Sequence, residues 1–252
     1  MTRFSPVVAA ALLVTTAAAQ KAAVSDKTED PAPDGGGRYT TREKHDPSGI
    51  GKFYLGREIA RVMGHQGIAW LERDNRQEEE NLSRLIELLD PQPGDTVADI
   101  GAGSGVITFL ISRRVGDDGT VYAVDIQPEM LDALRTKAEK RGVTNVTPVQ
   151  GTATDPKLPA GRCDLAVMVD VYHEFDFPYE MLSAIVDGLK VGGRVAFVEY
   201  RKEDPSVPIR EVHKMSEAQV RKEATQDGLR LKFVETLDDL PRQHVIIFER
   251  TE

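Results

Sequence analysis

Cysteine occurs once in the chain, at Cys163. A single thiol excludes an intramolecular disulfide and any cysteine metal cluster. Its neighbours Asp164-Leu165-Ala166-Val167 read as a strand, so a buried, inert thiol is expected. Positive charge is in short supply: 32 Lys and Arg stand against 41 Asp and Glu, a formal net charge of −9. That argues against nucleic-acid binding through a basic face. No H-E-x-x-H or comparable ligand cluster is present, so no metal is expected. The apolar run Val7 to Ala19 is shorter than the ~20 residues a membrane-spanning helix needs, and no cysteine follows it to serve as a lipid-attachment site.

That run has another reading. It follows Met1-Thr2-Arg3, carries no charge, and closes on Ala17-Ala18-Ala19-Gln20, small residues before a polar one. This is the layout of a secretory signal peptide over residues 1–19, and it implies a periplasmic or secreted protein. Residues 20–38 are rich in charge, proline and glycine with little to bury, and read as a disordered linker.

The chain is organised around Val97-Ala98-Asp99-Ile100-Gly101-Ala102-Gly103-Ser104-Gly105-Val106. A short apolar run ends in a carboxylate, a glycine-rich turn follows, and Val106 to Ile111 suits a packed helix: strand, tight loop, helix. The glycines let the backbone turn sharply and approach a ligand, and the free amides of a helix start suit a polar or anionic group. A dinucleotide site wants G-x-G-x-x-G, but Val106 stands where the third glycine would be. Asp99, two residues before the first glycine, would repel a pyrophosphate and suit an ammonium or sulfonium.

Here the chain resembles the class I S-adenosylmethionine-dependent methyltransferases, whose first motif has the form D-x-G-x-G-x-G. The resemblance implies S-adenosylmethionine as cofactor, with Asp99, Gly101, Gly103 and Gly105 at its methionine part. Thr120 to Ile126 reads as a second strand ending in an acid, a place from which a carboxylate can accept from both ribose hydroxyls. The family's matching acid also binds ribose, so Asp125, with Ile126 beside it, is assigned there. The third strand, Asn145 to Gln150, leads into a loop where many family members carry Gly-Asp-Ala. The matching acid position is Thr152, which leaves Thr152, Ala153 and Asp155 as the adenine candidates.

Cys163 to Val171 is near-continuously apolar, as a central parallel strand should be. Polar residues at its carboxyl end face the reaction centre of an open parallel sheet. The (N/D)-P-P-(Y/F) motif of many amino-group methylating relatives is absent; Asp170, Tyr172, His173 and Glu174 stand instead. His173, with Asp170 and Tyr172, is the catalytic candidate, because an imidazole can remove a proton from an oxygen, nitrogen or thiol acceptor.

Residues 39–90 are expected to form an N-terminal helical cap, with a short helix at Arg57 to Met63 and a longer one from Asn75 to Leu89. Tyr54, Arg57, His65, Trp70 and Arg73 are lid candidates, the alternative being a layer packed on the sheet edge with Trp70 in its core. Residues 91–252 are expected to form an α/β domain: a Rossmann-like, seven-stranded, mostly parallel sheet with helices on both faces. Leu229 to Leu237 and Gln243 to Arg250 should supply a reversed C-terminal strand pair. The implied function is methyl transfer to a small-molecule acceptor. The rivals are an exported non-catalytic binding protein on the same fold and an NAD(P)-dependent oxidoreductase.

Overall fold

The computed structural model describes residues 37–252. The reading of residues 1–19 as a signal peptide, and of the linker as far as residue 36, lies outside the described residues.

The chain begins with an antiparallel meander, β1 (Tyr39–Thr41), β2 (Gly49–Tyr54) and β3 (Arg57–Ala60). Arg57–Ala60, expected at the start of a short helix, is therefore a strand. Leu55 and Gly56 both take positive φ, 48° and 97°. They form a two-residue hairpin turn that pairs Tyr54 with Arg57, and this pairing overrides the weak helical preference of the segment. Arg38, assigned to the linker, packs its guanidinium on the Tyr179 ring, 3.6 Å from the centroid.

After one 3-10 turn come α1 (Ile68–Leu71), α2 (Arg76–Glu80) and α3 (Leu82–Leu89). The single helix expected from Asn75 to Leu89 is broken at Asn81, which sits at φ 52° and caps α3 by accepting from the Arg84 amide. Asparagine tolerates this left-handed geometry better than most residues. The break lets two different faces be buried. Arg76 and Glu80 turn inward as an ion pair, while Leu82, Leu85 and Leu89 pack on the main sheet.

The main domain then alternates: β4 (Thr96–Ile100), α4 (Val106–Val115), β5 (Thr120–Asp125), α5 (Pro128–Arg141), β6 (Val146–Gln150), β7 (Cys163–Val169), α6 (Pro178–Gly188), β8 (Leu189–Tyr200), α7 (Glu217–Ala224), β9 (Leu231–Leu237) and β10 (Gln243–Arg250). Pro128 opens α5 and Gly142, in the left-handed region, closes it. Ser216 caps α7, its side chain accepting from the Gln219 amide. Lys190 to Gly193 form part of β8, whose register against β7 slips between Cys163 and Leu165.

The seven strands run in the order β6-β5-β4-β7-β8-β10-β9. β4, β5, β6, β7 and β8 pair in parallel, and β10 is antiparallel to both β8 and β9. The sheet is buried on both faces. Ala98, Ile100, Ala166 and Met168 face α6 and α7, while Val97, Leu165 and Val167 face α3 and α4. Cys163 lies in this core, and burial pushes its thiol up to about 12, so it is inert as expected. Strand order reverses between β4 and β7, so a crevice opens at their carboxyl ends, where open α/β sheets bind ligands.

Candidate active site

One cavity of about 520 Å³ occupies that crevice, within the size range of sites for small molecules. Its floor is the glycine turn after β4. Gly101 and Gly103 line it, at φ 73° and 54°. A Cβ on Gly101 would stand 2.5 Å from Val171 Cγ2, so only glycine fits.

Asp125, at the end of β5, is buried in the cavity wall. Its Oδ2 accepts from the Gly103 amide and its Oδ1 from the Gln127 amide, each at 2.9 Å. These bonds fix the carboxylate while each oxygen keeps a further lone pair. Ile126, though apolar, is 45% exposed, and it lines the cavity together with Thr152 and Ala153. Such an open apolar side chain suits the face of a planar ring.

Asp170 follows β7 and faces the same space. Its φ of 52° is unusual for a non-glycine residue, a strain that tends to collect at functional sites. Oδ2 accepts from Gln243 at 2.8 Å. Oδ1 is buried with no hydrogen-bond partner among the described residues. Burial, and the nearby Glu80 and Glu199, hold this carboxyl well above the ordinary carboxylate range.

The 3-10 turn Tyr172–Glu174 carries the next groups. The His173 ring is almost fully buried, with Nδ1 at 2.6 Å from Glu199 Oε2 and Nε2 at 3.2 Å from Nδ1 of His213. Burial lowers both histidines to about 4, so both imidazoles are neutral near pH 7. Burial likewise raises Glu174 to about 7 and Glu199 to about 8. Arg57 secures the turn from below. Its Nη1 donates to the His173 carbonyl at 3.0 Å, while Nε and Nη2 fork onto Glu223 at 2.7 and 2.9 Å.

The structure thus gathers Gly101, Gly103, Asp125, Ile126, Thr152, Ala153, Asp170 and His173 around one cavity. Four other candidates do not line it. Asp99 is 2% exposed, and the pleat of β4 directs it onto α4, where Thr108 donates to it at 2.5 Å. Gly105 opens α4 at φ 91°; a Cβ there would meet Phe109 at 2.7 Å, so its role is packing. Tyr172 points into the core and stacks edge-on against Phe197 and Phe175. Asp155 accepts from the Lys157 amide and ammonium, at 2.7 and 2.8 Å, closing its own loop.

Among the lid candidates, Trp70 lines the cavity at 41% exposure, with the Arg73 guanidinium 3.9 Å above its ring, so it is not a core residue. Tyr54 and Arg57 are buried structural residues. His65 lies beside Glu129 outside the cavity wall. Val62, Met63, Leu71 and Arg76 complete the wall on this side.

The sequence reading missed Arg76, Glu199, His213 and Gln243. Glu199, in the buried stretch Val195 to Tyr200 of β8, is the one signal in the sequence: a lone carboxylate in such a stretch needs a partner.

A family profile described as a methyltransferase domain matches residues 97–193. The chain is 34% identical over 116 residues to aklanonic acid methyltransferase DauC of Streptomyces sp. (strain C5), covering 45% of this chain and 52% of that protein. It is 33% identical over 118 residues to the ubiquinone/menaquinone biosynthesis C-methyltransferase UbiE of Shewanella oneidensis, covering 46% and 47%. It therefore spans about half the length of these curated relatives. Among solved structures, a SAM-dependent methyltransferase from Aquifex aeolicus superimposes with a TM-score of 0.70 at 22% identity, covering 75% of this chain and 100% of that one. Residues 97–193 thus match a methyltransferase domain, the sheet has the Rossmann-like methyltransferase fold, and S-adenosylmethionine is the cofactor that this match and fold imply.

Proposed function

We propose that this chain transfers a methyl group from S-adenosylmethionine to a small-molecule acceptor bound at the His173 end of the cavity. The observation that carries the reading is that Asp125 and His173, the strand-end acid and the buried imidazole, line the same cavity.

The residues present fit the cofactor. Asp125, which lines the cavity, suits ribose hydroxyls, and Ile126 with Ala153 suits the apolar face of adenine. The unpartnered Oδ1 of Asp170 suits a cationic group, whose charge would favour the ionised carboxylate that burial disfavours. Bound S-adenosylmethionine supplies an electrophilic methyl group whose leaving group is a neutral thioether. The protein's work is to position the acceptor and take its proton where it has one. His173 is suited to that second task. Its imidazole is neutral, is oriented through Nδ1 by Glu199, and lies between the carboxyl groups of Glu199 and Glu174. Phe175, Met181, Pro208 and Ile209 make the acceptor end largely apolar, which suits a small molecule with an apolar body. The two relatives whose printed names refer to aklanonic acid and to ubiquinone/menaquinone biosynthesis are consistent with such an acceptor. We also read residues 1–19 as an export signal, so that the enzyme acts in the periplasm or outside the cell.

Calorimetric titration of the chain with S-adenosylmethionine, and separately with NADH, tests the reading. Micromolar binding of the first, lost in Asp125→Ala, supports it and justifies an acceptor screen followed by transfer of a labelled methyl group. Binding of NADH alone would overturn it, and binding of S-adenosylmethionine without transfer to any acceptor would leave a binding protein.

A further inference from the structure

His173, Glu174 and His213 all line the cavity, and one donor atom of each lies within 4.8 Å of the other two. Nε2 of His173 is 3.2 Å from Nδ1 of His213. Oε1 of Glu174 is 3.9 Å from the first and 3.7 Å from the second. We propose that these three residues form a binding site for one divalent first-row transition-metal ion, of the zinc or iron(II) class, with its open coordination positions facing the cavity.

The distances suit an ion. Ligand bonds of about 2.0–2.2 Å at tetrahedral angles place neighbouring donor atoms about 3.4 Å apart. Modest movement of Glu174 closes the set. Two imidazole nitrogens and one carboxylate oxygen match both the three-ligand zinc sites that keep a fourth position open and the two-histidine, one-carboxylate iron(II) sites.

The surroundings are built in the same sense. The second nitrogen of His173 is held by the buried Glu199 at 2.6 Å, the carboxylate–histidine support that orients a metal-binding ring. The second oxygen of Glu174 accepts from the Met63 amide at 3.3 Å, which leaves Oε1 for the histidines. Arg57 fixes the backbone between the two ligands by its bond to the His173 carbonyl. Without an ion, the facing histidine nitrogens close as a hydrogen bond, so the apo site has its own way of being satisfied.

The site deepens the methyl-transfer reading and, as to its use, rests on it. With an ion bound, His173 would be a ligand instead of a base, and the ion would hold a hydroxyl or thiol acceptor by its reacting atom and favour loss of its proton. Binding of the ion itself does not depend on that reading.

The test is titration of the EDTA-stripped full chain with Co²⁺, followed by its visible absorption, and with Zn²⁺ by calorimetry. One ion per chain is expected. His213→Ala and the nearly isosteric Glu174→Gln should each weaken binding more than about tenfold, and Glu199→Gln about 10–100-fold. Circular dichroism and thermal melting would show that the variants are folded, and Glu174→Gln stands in if His213→Ala fails to fold. Binding that neither variant weakens, or no binding of either ion, would overturn the proposal. S-adenosylmethionine is titrated into the same preparation. A chain that binds it but no metal refutes the metal site alone, and a chain that binds metal but not S-adenosylmethionine supports the site while refuting the methyltransferase reading.

Discussion

Arg57 on β3 donates from Nη1 to the backbone carbonyl of His173 at 3.0 Å, joining positions 116 residues apart in the chain. The same guanidinium forks onto Glu223 of α7. One buried side chain thus ties the front sheet and the last helix to the turn that carries the candidate base.

Arg57→Ala should therefore be strongly destabilising. It leaves Glu223 buried without its cation and the His173 carbonyl without a donor, a loss of about 3–5 kcal/mol. Urea unfolding of the two proteins measures it. Arg57→Lys should recover part of the loss, because an ammonium restores charge but not the two-pronged geometry. A change under about 1 kcal/mol in Arg57→Ala would contradict the clamp.

Asp125 and Asp99 should behave differently toward the cofactor. Asp125→Ala removes a carboxylate from the cavity wall, and the loss of charge-assisted bonds to ribose, about 1.5–3 kcal/mol, should weaken S-adenosylmethionine about 10–150-fold. Asp99→Asn, outside the wall, should change affinity less than about threefold, a difference worth under about 1 kcal/mol. Equal losses in the two variants would show that Asp99 reaches the cofactor.

Asp99 should instead be visible in the pH dependence of stability. Burial is the main reason its carboxyl rises from 3.8 to about 6 in the folded chain. A raised folded value favours the protonated form, so its contribution is fully present below pH about 4 and is lost as pH rises through about 6. The loss amounts to about 3 kcal/mol at most. The difference between wild type and Asp99→Asn, followed by denaturant unfolding from pH 4 to 7, isolates it. The variant should lack this component and be relatively more stable at pH 7. A difference that stays constant with pH would refute the assignment.

Gly105→Ala should destabilise without changing the cavity. The new methyl meets Phe109 at 2.7 Å, on a backbone at φ 91°, and overpacking of this kind costs about 1–3 kcal/mol. A lower melting temperature is expected, with S-adenosylmethionine affinity within about twofold of wild type, a difference of about 0.4 kcal/mol.

If residues 1–19 direct export, the mature protein recovered from the periplasm or medium should begin at Gln20. N-terminal sequencing decides this, and an intact Met1 on the exported protein would rule out cleavage.

Much of the domain is legible in the sequence because its signals are local. Strands β4, β5 and β7 of the parallel sheet are short, mostly apolar runs, and α5 is framed by Pro128 and Gly142. The glycine turn and the acid ending the second strand lie within one βαβ unit, so Gly103 and Asp125 meet as that unit dictates, and the Gly103 amide donates to Asp125. Even the inward turn of Asp99 onto α4 follows from strand alternation, since Ala98 and Ile100 face the opposite layer. The front segment was harder to read. Arg57 to Met63 has helical composition, and the hairpin at Leu55-Gly56 decides against it only because β2 and β3 have each other to pair with.

What the sequence by itself determined is the α/β alternation, the position of the ligand crevice and the acid that faces it. Periodicity, turn residues and the strand-end rule act over a few residues or one repeating unit. Only the tertiary structure decided which side chains share that crevice. His173 and His213 are 40 positions apart and meet because the 3-10 turn Tyr172–Glu174 packs against a second one, Glu211–His213; Glu199 lies opposite because β8 runs beside β7. No local pattern encodes such a meeting, since it depends on the order of strands in the sheet and on the burial that holds distant turns against one another.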